Sequence, residues 1–145
     1  MIRRRTRGPR PPYGAGTARY ISSMKYGGEP EEYDIRVEAE NPVCGDRLVL
    51  FASRRNGRLS HFRWQAVGCP PVLAAAEAAC VLLNEGGGES DAGREVGKKV
   101  SEEVLLHCLE GLPASSRHAV KLVLEGLNKL HEIAGYAREE DVTET

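Results

Sequence analysis

The 145-residue sequence predicts an α+β fold, with a three-stranded antiparallel sheet followed by helices packed on one face. Three observations carry that prediction. Apolar and polar residues alternate from Tyr33 to Glu40, the period of a half-buried strand. Asn56-Gly57, the strongest short hairpin signal, separates two further β-like runs. After Pro70-Pro71 the apolar period becomes helical and stays so.

Residues 1–28 are rich in Arg, Gly and Pro and lack apolar periodicity, so they read as a basic, disordered tail. Tyr33, Ile35, Val37 and Ala39 form the buried side of the first strand. Asn41-Pro42 ends it, because proline has no ladder donor. Leu48–Phe51 is the second strand and His61–Val67 the third, with Phe62, Trp64 and Ala66 on one side and His61, Arg63 and Gln65 on the other. Pro70 and Pro71 fit only the first turn of a helix, which runs to Asn84 and stops at Gly86-Gly87-Gly88. Residues 86–99 read as a flexible connector. Ser101, followed by Glu102 and Glu103, caps a helix reaching about Leu109. The last helix starts near Arg117, with Val120, Val123, Leu124, Leu127, Leu130 and Ala134 on one face. The domain so defined spans residues 29–137, and 138–145 read as an acidic, solvated tail.

The near-zero net charge of −1 hides an asymmetry. Of 20 basic residues, seven lie in 1–28, which has no Asp or Glu; this leaves 13 against 21 acidic ones, a net of −8 for the rest. A basic tail with only Tyr13, Tyr20 and Tyr26 as aromatics, on an acidic domain, does not point to nucleic acid. No run of about 18 apolar residues is present, so no membrane span is expected. Neither is a secretory signal, and glycines and prolines break any amphipathic transit helix in the Arg-rich start. A cytoplasmic location is expected, where reducing conditions favour free thiols or metal ligands over two disulfides among the four cysteines.

Chemistry concentrates in two short motifs and one histidine. In Cys44-Gly45-Asp46, residues two apart on an extended chain point the same way, and Gly45 permits close approach of a ligand; taken alone, the pair also reads as a buried cysteine and a turn aspartate. Cys69, after Gly68, stands just before a helix N-terminus, whose dipole should lower its pKa and favour a thiolate; core packing is the other reading. His118 falls in the first turn of the last helix, where a lone histidine is usually a polar surface residue. Together these residues can form one compact site for a soft metal or an iron–sulfur cluster. His61, His107 and His131 have weaker claims. Cys80 and Cys108 sit among Leu, Val and Ala at helical spacing, as small core residues. The triple glycine is no phosphate loop, and no Gly-x-Ser-x-Gly or His-Glu-x-x-His motif occurs.

Asn41-Pro42-Val43-Cys44-Gly45-Asp46, the Asn56-Gly57 hairpin, Val67-Gly68-Cys69 opening an Ala-rich helix, and Leu112-Pro113 leading to His118 resemble the NifU/IscU-type iron–sulfur cluster assembly scaffold over residues 33–135. The resemblance implies a non-enzymatic protein that binds iron or a [2Fe–2S] cluster and passes it to apo iron–sulfur proteins, with sulfur from a cysteine desulfurase. It implies Cys44, Asp46, Cys69 and His118 as ligands. Such a set can terminate a cluster, hold it less firmly than four cysteines, or complete tetrahedral zinc, as in a zinc-bound sulfur-relay protein partnering the desulfurase. The chain departs from the family pattern at Ala119, where a cysteine follows the histidine, and at Ser116, where a lysine is typical. Leu112-Pro113-Ala114-Ser115-Ser116 is a reduced form of the family's chaperone-recognition segment, and the family's N-terminal helix is not recognisable.

Overall fold

The computed structural model describes residues 15–43, 45–55, 58–85, 90–91, 100–110 and 117–144. In chain order these form α1 (Ala15–Ser23), β1 (Ile35–Asn41), β2 (Asp46–Arg55), β3 (Arg58–Val67), α2 (Pro70–Glu85), β4 (Ser90–Asp91), α3 (Glu102–Leu109) and α4 (His118–Glu144). The sheet is antiparallel in the order β1-β2-β3-β4. Three strands form its body, and β4 adds two residues that the sequence reading assigned to a connector.

The alternation in the sequence is realised as a two-sided sheet. Ile35, Val37 and Ala39 pair with Ala52, Leu50 and Leu48, and all six are buried. Trp64 lies opposite Leu50 and Ala66 opposite Leu48, which continues the same face onto β3. The helices cover that face. Val120, Val123, Leu127, Leu130 and Ala134 of α4 are buried, as are Val72, Ala75, Ala76, Ala79 and Leu83 of α2. Sequence burial of this kind is the main stabilising term for the domain. The face turned away carries Arg36, Glu38, Arg47 and Gln65, with Phe51 covered by the Tyr33 ring at a centroid distance of 4.9 Å.

Strand β3 carries a bulge. Phe51 faces Arg63 but Ser53 faces Ser60, so His61 and Phe62 together oppose Ala52, and His61 takes a φ of 54°. The Asn84 side chain closes the exposed edge there: its Oδ1 accepts from the Phe62 N–H and its Nδ2 donates to the Phe62 carbonyl, both at 2.8 Å. Arg55 pairs with Arg58 across the hairpin, whose Asn56-Gly57 turn lies outside the described residues.

The start of the chain differs from the sequence expectation. Within the supposed tail, residues 15–23 form α1 and residues 24–28 are docked. Thr17 is buried and donates to the Leu109 carbonyl at 3.3 Å, tying α1 to the end of α3. The Gly28 N–H donates to the Trp64 carbonyl at 2.7 Å, and the Trp64 N–H to the Tyr26 carbonyl at 3.1 Å, so this segment covers the β3 edge. The anchor is Glu77 of α2, fully buried among alanines. Its carboxylate accepts from Trp64 Nε1 at 2.8 Å and from the backbone N–H groups of Lys25 at 2.8 Å and Tyr26 at 3.0 Å. A buried carboxylate with this many donors satisfies the requirement that buried charge be hydrogen-bonded. Residues 1–14 lie outside the described residues. At the other end α4 continues to Glu144, through most of the stretch read as an acidic tail.

Candidate metal centre

Five element ends meet at one end of the sheet. Asn41 closes β1 and pairs with Asp46, the first residue of β2. Between them, the Asn41 side chain accepts from the Val43 N–H at 3.1 Å and its carbonyl accepts from the Gly45 N–H at 2.7 Å. Gly45 takes a φ of 79°, which most residues avoid, so its glycine serves this tight return rather than ligand approach. Asp46 then enters β2 on the helix-covered side, in line with Leu48 and Leu50, and is buried. Strand β3 ends at Val67, opposite Arg47, and hands the chain through Gly68 to Cys69. The Cys69 carbonyl accepts the first helical bond of α2, from the Val72 N–H at 2.9 Å. Pro70 and Pro71 occupy the first turn, where an absent N–H costs nothing. The N-terminus of α4 places His118 beside them.

Asp46, Cys69 and His118 converge. The Cys69 thiol donates to Asp46 Oδ2 at 3.7 Å, His118 Nε2 lies 3.4 Å from the same oxygen, and Cys69 Sγ lies 3.8 Å from His118 Nε2. The three donors fall within 4.8 Å of one another. Asp46 is buried, while Cys69 and His118 are partly exposed, so the group opens to solvent on the thiol and imidazole side. In a tetrahedral zinc site, bonds of about 2.0–2.3 Å put N and O donors roughly 3.4 Å apart, and S roughly 3.6 Å from either. The observed separations match one small four-coordinate ion. Cys44 lies outside the described residues.

The expected effect of the α2 N-terminus on Cys69 is reversed. Burial pushes its thiol above the ordinary cysteine value and the Asp46 carboxylate pushes the same way; hydrogen bonding from the Val72 backbone only partly offsets them. Both effects favour the neutral thiol, whose Sγ points at the Asp46 carboxylate. A bound cation would reverse that balance, since it favours the thiolate directly.

The remaining candidates lie elsewhere. His61 is exposed on the β3 bulge, with Nδ1 3.0 Å from its neighbour Ser60 Oγ. Cys80 is fully buried in α2, and burial drives its thiol far above the ordinary value. Cys108 is partly buried against the core near the C-terminal end of α3. Ala119 is buried beside His118. Sequence reasoning missed Glu77, although a lone glutamate inside an Ala-Ala-Ala-Glu-Ala-Ala run was a visible signal of a specific buried partner.

No protein-family model matches the chain. Two curated relatives from Archaeoglobus fulgidus, the iron-sulfur cluster assembly scaffold proteins IscU 1 and IscU 2, are each 24% identical over 102 residues, covering 70% of this chain and 63% of theirs. The chain therefore spans less than two thirds of the length of these relatives. In fold, it is similar to the putative iron-sulfur cluster assembly scaffold protein for the SUF system from Fervidobacterium islandicum AW-1, with a TM-score of 0.63 at 18% identity over 83% of this chain and 94% of that one. Among the described residues no helix is long and apolar enough to cross a membrane. In sequence the chain is similar to the IscU scaffold proteins of Archaeoglobus fulgidus, and in fold to the SUF-system protein of Fervidobacterium islandicum.

Proposed function

We propose that the protein is an iron–sulfur cluster assembly scaffold or carrier, a binding protein rather than an enzyme. It takes iron or a [2Fe–2S] cluster as cargo, receives sulfur from a cysteine desulfurase and hands the product to apo iron–sulfur proteins in the cytoplasm. The observation that carries this reading is the convergence of Asp46 Oδ2, Cys69 Sγ and His118 Nε2 at one end of the sheet. Cys44, two residues before Asp46 in sequence, is the proposed fourth ligand. Thiolate, imidazole and carboxylate together suit iron or zinc, and the hard oxygen is the weakest match to a soft cargo and the first to let go. A partly exposed site on otherwise well-packed elements allows a recipient to reach the cargo directly.

One observation favours a second reading. The three donors are spaced for a single ion, whereas ligands on different irons of a cluster stand farther apart than ligands on one iron. With Ala119 beside His118, a zinc-bound sulfur relay serving the desulfurase is the alternative. Anaerobic reconstitution with iron and sulfide, followed by metal analysis and visible absorption, separates them. Iron with equimolar acid-labile sulfide supports the scaffold; stoichiometric zinc that resists replacement supports the relay; no metal in either form refutes both.

A further inference from the structure

We infer that Gly68 is a positioning residue that makes Asp46 a one-oxygen donor; the inference deepens the metal-binding reading above and rests on it. A Cβ built on Gly68 would lie 2.5 Å from Asp46 Oδ1, 2.9 Å from its Cγ and 3.1 Å from its Cβ. The carboxylate thus stacks on the glycine α-carbon in space that any side chain would fill. This makes the two oxygens unequal. Oδ2 is the atom nearest Cys69 Sγ and His118 Nε2, at 3.7 and 3.4 Å, while Oδ1 is packed against Gly68. A carboxylate free to swing can give both oxygens to a metal; one held this way gives a single oxygen. A one-oxygen donor beside a thiolate and an imidazole suits a small four-coordinate ion, whereas two-oxygen binding belongs to larger ions of higher coordination number.

Gly68 is not needed for its backbone conformation. The positive-φ glycines among the described residues include Gly28 and Gly45 but not Gly68. Alanine at 68 therefore meets a steric conflict alone, and the atoms it meets are those of Asp46. Asp46 is short and buried, so it can yield only by moving its carboxylate relative to Cys69 and His118. Residue 68 acts on the metal through residue 46.

The test uses Co²⁺ as a spectroscopic probe and Zn²⁺ affinity by competition with a chromophoric chelator. The proteins are wild type, Gly68→Ala, Asp46→Ala and the double variant, with urea unfolding measured on each. Wild type should give the intense visible bands of four-coordinate Co²⁺. Gly68→Ala should lose that intensity and bind Zn²⁺ about 10- to 100-fold more weakly, the usual effect of disturbing a residue that orients a ligand. In the Asp46→Ala background the added Gly68→Ala change should have little further effect, because the two closest atoms, Oδ1 and Cγ, are gone and only the milder Cβ contact at 3.1 Å remains. If Gly68→Ala is also less stable, Asp46→Ala should restore the urea midpoint. A wild-type cobalt spectrum and zinc affinity in Gly68→Ala overturns the inference alone, as does an equal loss in both backgrounds. Wild-type protein that binds neither ion overturns the metal site and this inference with it.

Discussion

Replacing Glu77 tests whether one buried carboxylate holds the start of the chain on the domain. Its three short hydrogen bonds come from Trp64 Nε1 and the Lys25 and Tyr26 amides, and Ser23 Oγ approaches at 3.4 Å. A hydrogen bond to a charged group contributes about 1.5–3 kcal/mol, and a buried donor left unpaired costs about 1–3 kcal/mol. The Lys25 and Tyr26 amides can regain water if residues 24–28 lift away; the Trp64 indole, beneath them, regains it only by the same movement. Full additivity therefore does not apply. Glu77→Ala should cost about 3–5 kcal/mol, a large share of the roughly 5–15 kcal/mol of a typical domain. Glu77→Gln keeps one acceptor but turns an N–H₂ toward a donor, and should cost about 1–3 kcal/mol. Urea unfolding followed by fluorescence measures both, and Trp64, the only tryptophan, reports from the site of the change. A Glu77→Ala midpoint within about 0.5 kcal/mol of wild type, the range of an ordinary surface substitution, would refute the anchoring role.

Other expectations follow from single residues. Cys80 has its thiol raised by burial from an ordinary 9.0, so the stability it contributes is complete below that pH and is lost as pH rises toward the folded value. Between pH 8 and 10 wild type should lose about 1.4 kcal/mol more than Cys80→Ala in parallel urea titrations, and equal losses would contradict this burial effect. Cys108→Ala should leave zinc and iron stoichiometry unchanged, because Cys108 packs against the core and is not among the donors that converge with Cys69; loss of metal by elemental analysis would make it a ligand. Asp46→Ala should keep a preformed cluster longer than wild type when mixed with an apo-ferredoxin, as followed by visible absorption, whereas Cys69→Ala should fail to hold one. Transfer at the wild-type rate would reduce Asp46 to a structural residue.

What was legible in the sequence and what was not divides by the range of the forces involved. Strands β1 to β3 and helices α2 to α4 announced themselves because alternation, prolines and caps act between near neighbours. Ser101 accepts from the Val104 N–H at 3.2 Å, as a capping serine three residues upstream should. Helix α1 gave no such signal: Thr17 bonds Leu109 and the residues at and after its end bond Glu77, both partners more than 50 residues away in sequence, and its own composition argued for disorder. Cys69 shows the same division within one residue. Its place before a helix was readable, and from it a lowered pKa followed. The protein gives the opposite sign, because burial and the charge of Asp46, 23 residues earlier in the chain, outweigh the local backbone. The helix end favours a thiolate only where solvent or a cation shares the work. At this site a thiolate would face a carboxylate in a partly buried corner, so on the proposed metal-binding reading the positive charge that favours it would come from a bound cation, with the thiol losing its proton on binding and regaining it on release.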